Sequence, residues 1–204
     1  MKTNLIINSD NIDYLKTIPN NSIDCIVTSP PYDNLRLYNG FSMNLYQLGI
    51  ELFRVTKDGG ICVWVVQDAC HKGARTGTSY RTAVDFMNIG WRLWDNLIYF
   101  RRGVWAHKTR FRTDFENMFI FLKGKKPQYF NKEHLNVPNP SAGKITSCGG
   151  CRKKDGTMGE RKKLIGKPTK CRGTIFNYNF GGDGSKLKKK HPAVFPDILA
   201  LDFI

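Results

Sequence analysis

At 204 residues the chain is long enough for one domain that buries roughly 70% of its unfolded surface, and it holds no window of roughly 18 to 20 apolar residues able to span a membrane. The opening MKTNLIINSD has no charged region leading into a long apolar stretch, so a soluble, cytoplasmic protein is expected. The net charge of +15 is unevenly placed: residues 1–100 carry 9 basic and 9 acidic side chains, residues 101–190 carry 23 and 6, which implies a polyanionic partner.

The first hundred residues read as alternating strands and helices. NLIINSD is a short apolar run ending at Ser9 and Asp10, either of which can cap the helix NIDYLKTI that Pro19 closes. IDCIV is a second strand. A helix fits SMNLYQLGIELFRV, with Ser42 as cap, Leu45, Leu48, Leu52 and Val55 on one face, and KDGG as a glycine stop. ICVWVV is a third strand. SYRTAVDFMNIG is a helix from Ser79 to Gly90 that leads into the strand-like WRLWDNLIYF. The alternation implies right-handed crossovers and a mainly parallel sheet covered on both faces.

Beyond Phe100 the pattern changes. FENMFIFLKG is one more strand. Residues 123–173 are rich in Lys, Arg, Gly, Pro and Ser and read as an inserted, loop-rich region. GTIFNYNF is strand-like, and an apolar helix starts after Pro196. The organisation expected is a single domain over 1–204, with an α/β part at 1–122, the basic insert at 123–173, and a strand and helix start at 174–204.

DCIVTSPPYDNL carries the chemistry. In open parallel sheets, ligands sit outside the carboxyl ends of the strands, which is where TSPPY falls. Pro30 and Pro31 fix their own backbone angles and bias the residues before them toward extended geometry, so Ser29, the peptide carbonyls and Tyr32 are held rigidly. Rigid acceptors beside an aromatic ring suit a planar group that bears an amine.

The stretch resembles motif IV of the N4-cytosine and N6-adenine DNA amino-methyltransferases, in the beta-type motif order. Further segments follow in that order. INSDNIDYLKTIPNNSIDCIVTSPPY resembles the family's opening, RVTKDGG its basic glycine turn, FRTDFENMFIFLKGKK its glutamate before a strand and basic turn, and KHPAVFPDIL its motif X. The resemblance implies a Rossmann-like fold that uses S-adenosylmethionine (SAM) to methylate an exocyclic amine of DNA. Ser29, Pro30, Pro31 and Tyr32 fall at the target base, and Asp10, Pro192, Phe195 and Pro196 fall by the methyl donor. Serine in the first motif position leans toward N4-cytosine, although adenine enzymes with serine also occur in the family.

The family's motif I, an Asp-Pro-Phe and Gly-rich loop that grips SAM, is not found before Ile204. FGGDG at 180–184 precedes motif X, lacks Asp-Pro-Phe and runs into SKLKKK, so it reads as a surface turn. A sheet incomplete at its C-terminus is therefore expected, with a second chain as one way to supply the motif I half.

The basic region reads as the target-recognition segment. Arg101, Arg102, Lys108, Arg110, Arg112, Lys153, Lys154, Arg161, Lys162 and Lys163 are its expected DNA contacts, mostly to phosphates. Cys148, Cys151 and Cys171 are three thiols for a zinc site that His134 or His191 would complete, but free thiols in a loop are the reading adopted and no metal is expected. The competing readings are a catalytically inactive nucleic-acid-binding remnant and an RNA-binding zinc module.

Overall fold

The computed structural model describes residues 4–31, 43–101, 108–150, 152–178 and 196–204. Contacts group the chain into two compact units, Met1–Phe130 with Thr174–Ile204, and Asn131–Gly173.

The first unit is built on a curled five-stranded sheet in the order β1-β2-β6-β5-β11. Its strands are β1 (Ile23–Thr28), β2 (Thr56–Val66), β5 (Arg92–Phe100), β6 (Phe115–Leu122) and β11 (Ile175–Asn177); β3 (Cys70–His71) and β4 (Ala74–Arg75) pair as a separate small hairpin. β1 pairs parallel with β2, and β11 parallel with β5. β6 lies antiparallel between β2 and β5. Four of the five strands therefore run the same way, as the alternation of strands and helices implies. The last residues of those four strands and the first of β6 lie along one edge.

The helices follow their sequence signals with local adjustments. In α1 (Asn11–Thr17) the cap is Asp10, whose carboxylate accepts from the Asp13 N–H at 3.1 Å. The expected strand before it does not form: Leu5, Ile6 and Ile7 are exposed, because among the described residues no strand pairs with the outer edge of β1. α2 (Leu45–Val55) is capped by Asn44 through the Gln47 N–H at 3.0 Å; Ser42, the expected cap, lies outside the described residues. The KDGG turn is not the helix stop, since α2 ends at Val55 and β2 begins at once. Residues 57–60 instead form an irregularity in the β1–β2 ladder, where the partner of β1 jumps from Thr56 to Ile61. Gly59, at φ +80°, takes the left-handed conformation this requires, and a Cβ there would lie 2.8 Å from the backbone nitrogen of Gln128. α3 (Thr78–Ile89) ends at Gly90, as its sequence implies.

α2 and α3 cover one face of the sheet. Leu48 and Leu52 of α2 and Ala83 and Phe86 of α3 pack on Cys62, Trp64, Val66, Phe119 and Phe121. Phe86 lies 4.8 Å from both Trp64 and Phe121, ring centre to ring centre. The helices approach closely at Gly49, where an added Cβ would sit 2.6 Å from the Phe86 ring. Two cations tie the ends together. Lys123 Nζ donates to the carbonyls of Phe53 and Thr56 and to Asn21 Oδ1 at 2.7–2.8 Å, and Arg54 bonds Glu51, Asn20 and the carbonyls of Leu15 and Ile18. α4 (Asp197–Leu201), after Pro196, is the helix start the sequence implies. Its end is fixed by the Cys25 thiol donating to the Phe203 carbonyl at 3.3 Å and by Tyr178 Oη donating to Asp202 at 2.7 Å.

The second unit is richer in strand than its composition implies. β7 (Val137–Pro138) pairs with β10 (Thr169–Lys170), and β8 (Ile145–Gly149) with β9 (Arg161–Ile165), all antiparallel. The backbone thus forms one long interrupted hairpin. Ladder hydrogen bonds form it where hydrophobic periodicity gives no signal. Among the described residues of 131–173, none is buried.

Burial separates the thiols. Cys62 is fully buried and its ionisation is pushed up, and burial, with the Asp24 carboxylate adding, moves Cys25 from 9.0 to about 11. At pH 8, iodoacetamide should label the exposed Cys70 and Cys171 and spare Cys25 and Cys62 until the chain unfolds, as peptide mass spectrometry will read. Because the raised value of Cys25 belongs to the folded state, its contribution is complete below pH 9 and is lost as pH rises toward 11. Urea melts across that range should therefore fall more steeply for the native chain than for Cys25→Ser.

Candidate active-site edge

TSPP leaves the sheet at the edge where the parallel strands end. Thr28, the last residue of β1, pairs with Trp64 of β2. Beyond it Ser29 is half-buried, Pro30 buried and Pro31 half-buried. Tyr32 lies outside the described residues. A buried proline followed by another at a strand end fixes the path of the chain, because neither nitrogen can donate to a neighbouring strand.

Gln67 and Asp68 follow directly on the end of the neighbouring strand, β2. The Asp68 carboxylate accepts the Ser79 N–H at 2.8 Å and the Ser79 hydroxyl at 3.1 Å, which places a negative charge at the N-terminus of α3. Gln67 Oε1 accepts from Arg101 at 2.6 Å. Arg101, one residue past β5, also forms an ion pair with Glu116 of β6 at 3.0 Å, and the two side chains are 13% and 8% exposed. Four consecutive strand ends, those of β1, β2, β6 and β5, thus bring TSPP, Gln67, Glu116 and Arg101 to one edge.

This changes the reading of Arg101. As an expected DNA contact it would present its guanidinium to a phosphate, whereas here the guanidinium is used inside the protein. Glu116, which sits buried among apolar strand residues, is tolerable only because it is paired. Gln67 and Asp68 were missed in the sequence. The signal for them is positional: VQD ends a buried strand as TSPP ends its neighbour, and polar groups at that end of a parallel sheet face the ligand side.

The other expected residues are dispersed. Asp10 is exposed and caps α1, and Pro196 is half-buried at the start of α4; Pro192, Phe195, Arg102 and the FGGDG loop lie outside the described residues. Lys108 and Arg112 are exposed. Arg110 bonds the Cys70 thiol at 2.6 Å and the Gly73 carbonyl, and so is tied to the β3–β4 hairpin. Lys153, Lys154 and Lys163 of the second unit are exposed, while Arg161 and Lys162 lie in β9 with side chains outside the description. Cys148 lies in β8, Cys151 and His191 lie outside the described residues, and Cys171 donates to the Arg172 carbonyl at 3.2 Å. Among the described residues, no three metal-ligating side chains converge, and no helix is long and apolar enough to cross a membrane.

Comparison with known proteins bears on this edge. Residues 23–204 match the family model described as DNA methylase. The orphan methyltransferase M.BamHII of Bacillus amyloliquefaciens is 43% identical over 188 residues, covering 90% of this chain and 71% of that protein. The type II methyltransferase M.SmaI of Serratia marcescens is 26% identical over 176 residues, covering 65% of this chain and 60% of its own length. The solved PvuII DNA methyltransferase, described as cytosine-N4-specific, superposes with a TM-score of 0.62 at 16% identity, over 94% of this chain and 65% of that one; this likeness concerns the fold.

The Arg101–Glu116 pair should be costly to break. Arg101→Leu leaves a buried carboxylate without its cation and should destabilise the protein by about 3–5 kcal/mol in urea unfolding. Arg101→Leu combined with Glu116→Leu should recover much of that loss.

Proposed function

The chain belongs to the DNA methylase family whose model it matches over residues 23–204, and from that premise we propose that it methylates the exocyclic amino group of adenine (N6) or cytosine (N4) in DNA, with SAM as donor. The observation that carries the reading is TSPP at the carboxyl end of β1, with its first proline buried.

The chemistry explains the residues. An exocyclic amine is a poor nucleophile, because its lone pair is delocalised into the base. The base must leave the duplex stack to be reached. Ser29 and the Pro30 carbonyl accept the amine hydrogens and favour a pyramidal nitrogen whose lone pair is available. The two prolines keep those acceptors from rearranging, so their orientation is settled before the base arrives. Tyr32 stacks on the extruded base. When bound, SAM would supply a methyl group on a positively charged sulfur, toward which Ser29 and the Pro30 carbonyl would hold the amine nitrogen. Ser29, Pro30, Pro31 and Tyr32 are thus the base-side residues.

Asp10, Pro192, Phe195 and Pro196 are assigned to the donor side. Two observations support this. The Asp10 carboxylate is exposed while it caps α1, and Pro196 opens a helix anchored by the buried Leu199. Residues 123–173 form the target-recognition region, in which exposed Lys153, Lys154 and Lys163 contact phosphates; Lys108 and Arg112 of the first unit do the same. The chain spans 71% and 60% of the lengths of the two curated relatives it matches.

Ser29→Ala should lower methyl transfer from tritiated SAM into DNA by about 100-fold or more while leaving the urea midpoint nearly unchanged. Tyr32→Ala should do the same. Full activity in either variant overturns the base-side assignment. Digestion of the product to nucleosides will identify N6-methyladenine or N4-methylcytosine.

A further inference from the structure

The unit Asn131–Gly173 carries eleven lysines and arginines against three acids. Its apolar side chains are not used for a core, because no described residue of the unit is buried. Ile145 and Ile165, directly opposite each other across the β8–β9 ladder, are 74% and 72% exposed. Ser147 and Lys163 form the next cross-strand pair but one in the same ladder, and both are exposed. Since side chains two apart on a strand share a face, Ile145, Ser147, Lys163 and Ile165 line one side of the ribbon. An exposed isoleucine pair lies at its base and a cation further along.

The ribbon is held at both ends. At the tip, Asp155 accepts the Thr157 N–H at 2.9 Å and its hydroxyl at 2.7 Å, the Lys153 N–H bonds the Thr157 carbonyl at 2.7 Å, and Arg152 bridges to Met158. Hydrogen bonding holds Asp155 below the usual carboxylate range, so it remains charged in this role. At the base, Asn139 accepts from the Ser141 N–H at 3.0 Å and donates to the Lys167 carbonyl at 2.8 Å, which joins the two strands. A two-stranded ribbon with an unburied hydrophobic face is marginal by itself in water. Here the turn and base fix it in shape before any partner arrives.

Resting on the DNA reading above, we infer that the β8–β9 ribbon enters the major groove of duplex DNA with its Ile145/Ile165 pair toward the base edges and Lys163, further along the same face, at a flanking phosphate. The major groove is about 12 Å wide and admits a two-stranded β-ribbon, whereas the minor groove is about half that. Thymine methyl groups, which lie only in the major groove, are the apolar surface that an isoleucine pair can cover. The excess of lysine and arginine around the ribbon matches the flanking phosphates. The phosphate contacts, that of Lys163 among them, give affinity, and the isoleucine pair gives sequence preference.

The test uses the full chain with a 30-base-pair duplex of mixed sequence, in which 5-bromouracil replaces thymine so that light crosslinks the major-groove position to whatever touches it. Crosslinks should map to residues 145–149 or 163–165. In parallel, Lys163→Ala should make the plot of log affinity against log salt shallower by about 0.9, the value of one phosphate contact. If the chain binds the duplex with a steep salt response but crosslinks only outside the ribbon, and Lys163→Ala leaves the slope unchanged, the ribbon inference is wrong while the DNA reading stands. If the native chain shows no salt-dependent binding to the duplex, the DNA reading fails and the ribbon inference with it.

Discussion

The burial of β2 is the constraint on which the first unit depends. From Cys62 to Val66 every side chain is fully enclosed, so the strand needs cover on both faces and a partner on both edges. α2 and α3 supply one face. β1 and β6 supply the edges in opposite senses, and the antiparallel entry of β6 has a chemical result. It turns the buried acidic start of β6 toward the same edge as the ends of β1 and β2. The pairing that satisfies the backbone of β2 also brings together groups from far apart in sequence.

Charge is handled differently in the two units. In the first, Glu116 and Arg101 are enclosed and matched, with Gln67 completing the arrangement through the guanidinium. In the second unit, the described lysines stand in solvent, and three acids face eleven basic residues in its sequence. A buried pair is costly to separate and therefore fixes geometry. An exposed excess is inexpensive to keep and costs little to rearrange, which suits long-range attraction to a polyanion.

Much of the first unit was legible because its signals are local. Asp10, the glycine after α3, and the apolar faces of α2 and α3 each act within a few residues, and TSPP announces its place through proline geometry. The failures came where a distant partner decides. Leu5 to Ile7 are apolar enough for a strand, but a strand forms only against a neighbour. KDGG has the composition of a helix stop, yet its glycines serve an irregular ladder with β1. Arg101 lies in a basic stretch and looks like its neighbours; only the strand order reveals Glu116 opposite. In the second unit the hairpin is written in backbone hydrogen bonds and turn residues, with no alternation of buried and exposed side chains to betray it.

The bond between Cys25 and the Phe203 carbonyl joins residues 178 positions apart, and Asp202 beside it holds Tyr178 of the strand-end segment after β11. Closing so long a loop has an entropic cost that no local contact offsets in advance. The first unit is therefore also split in time. α1, β1, α2 and β2 can assemble from neighbouring sequence, while the far side of β1 waits for the segment around Phe203. Contacts of such long range slow folding, because they are made only after most of the chain has been ordered. A protein of this design spends part of its early life with the strand that bears TSPP incompletely covered, and that strand is then at its most exposed to unproductive association with other chains.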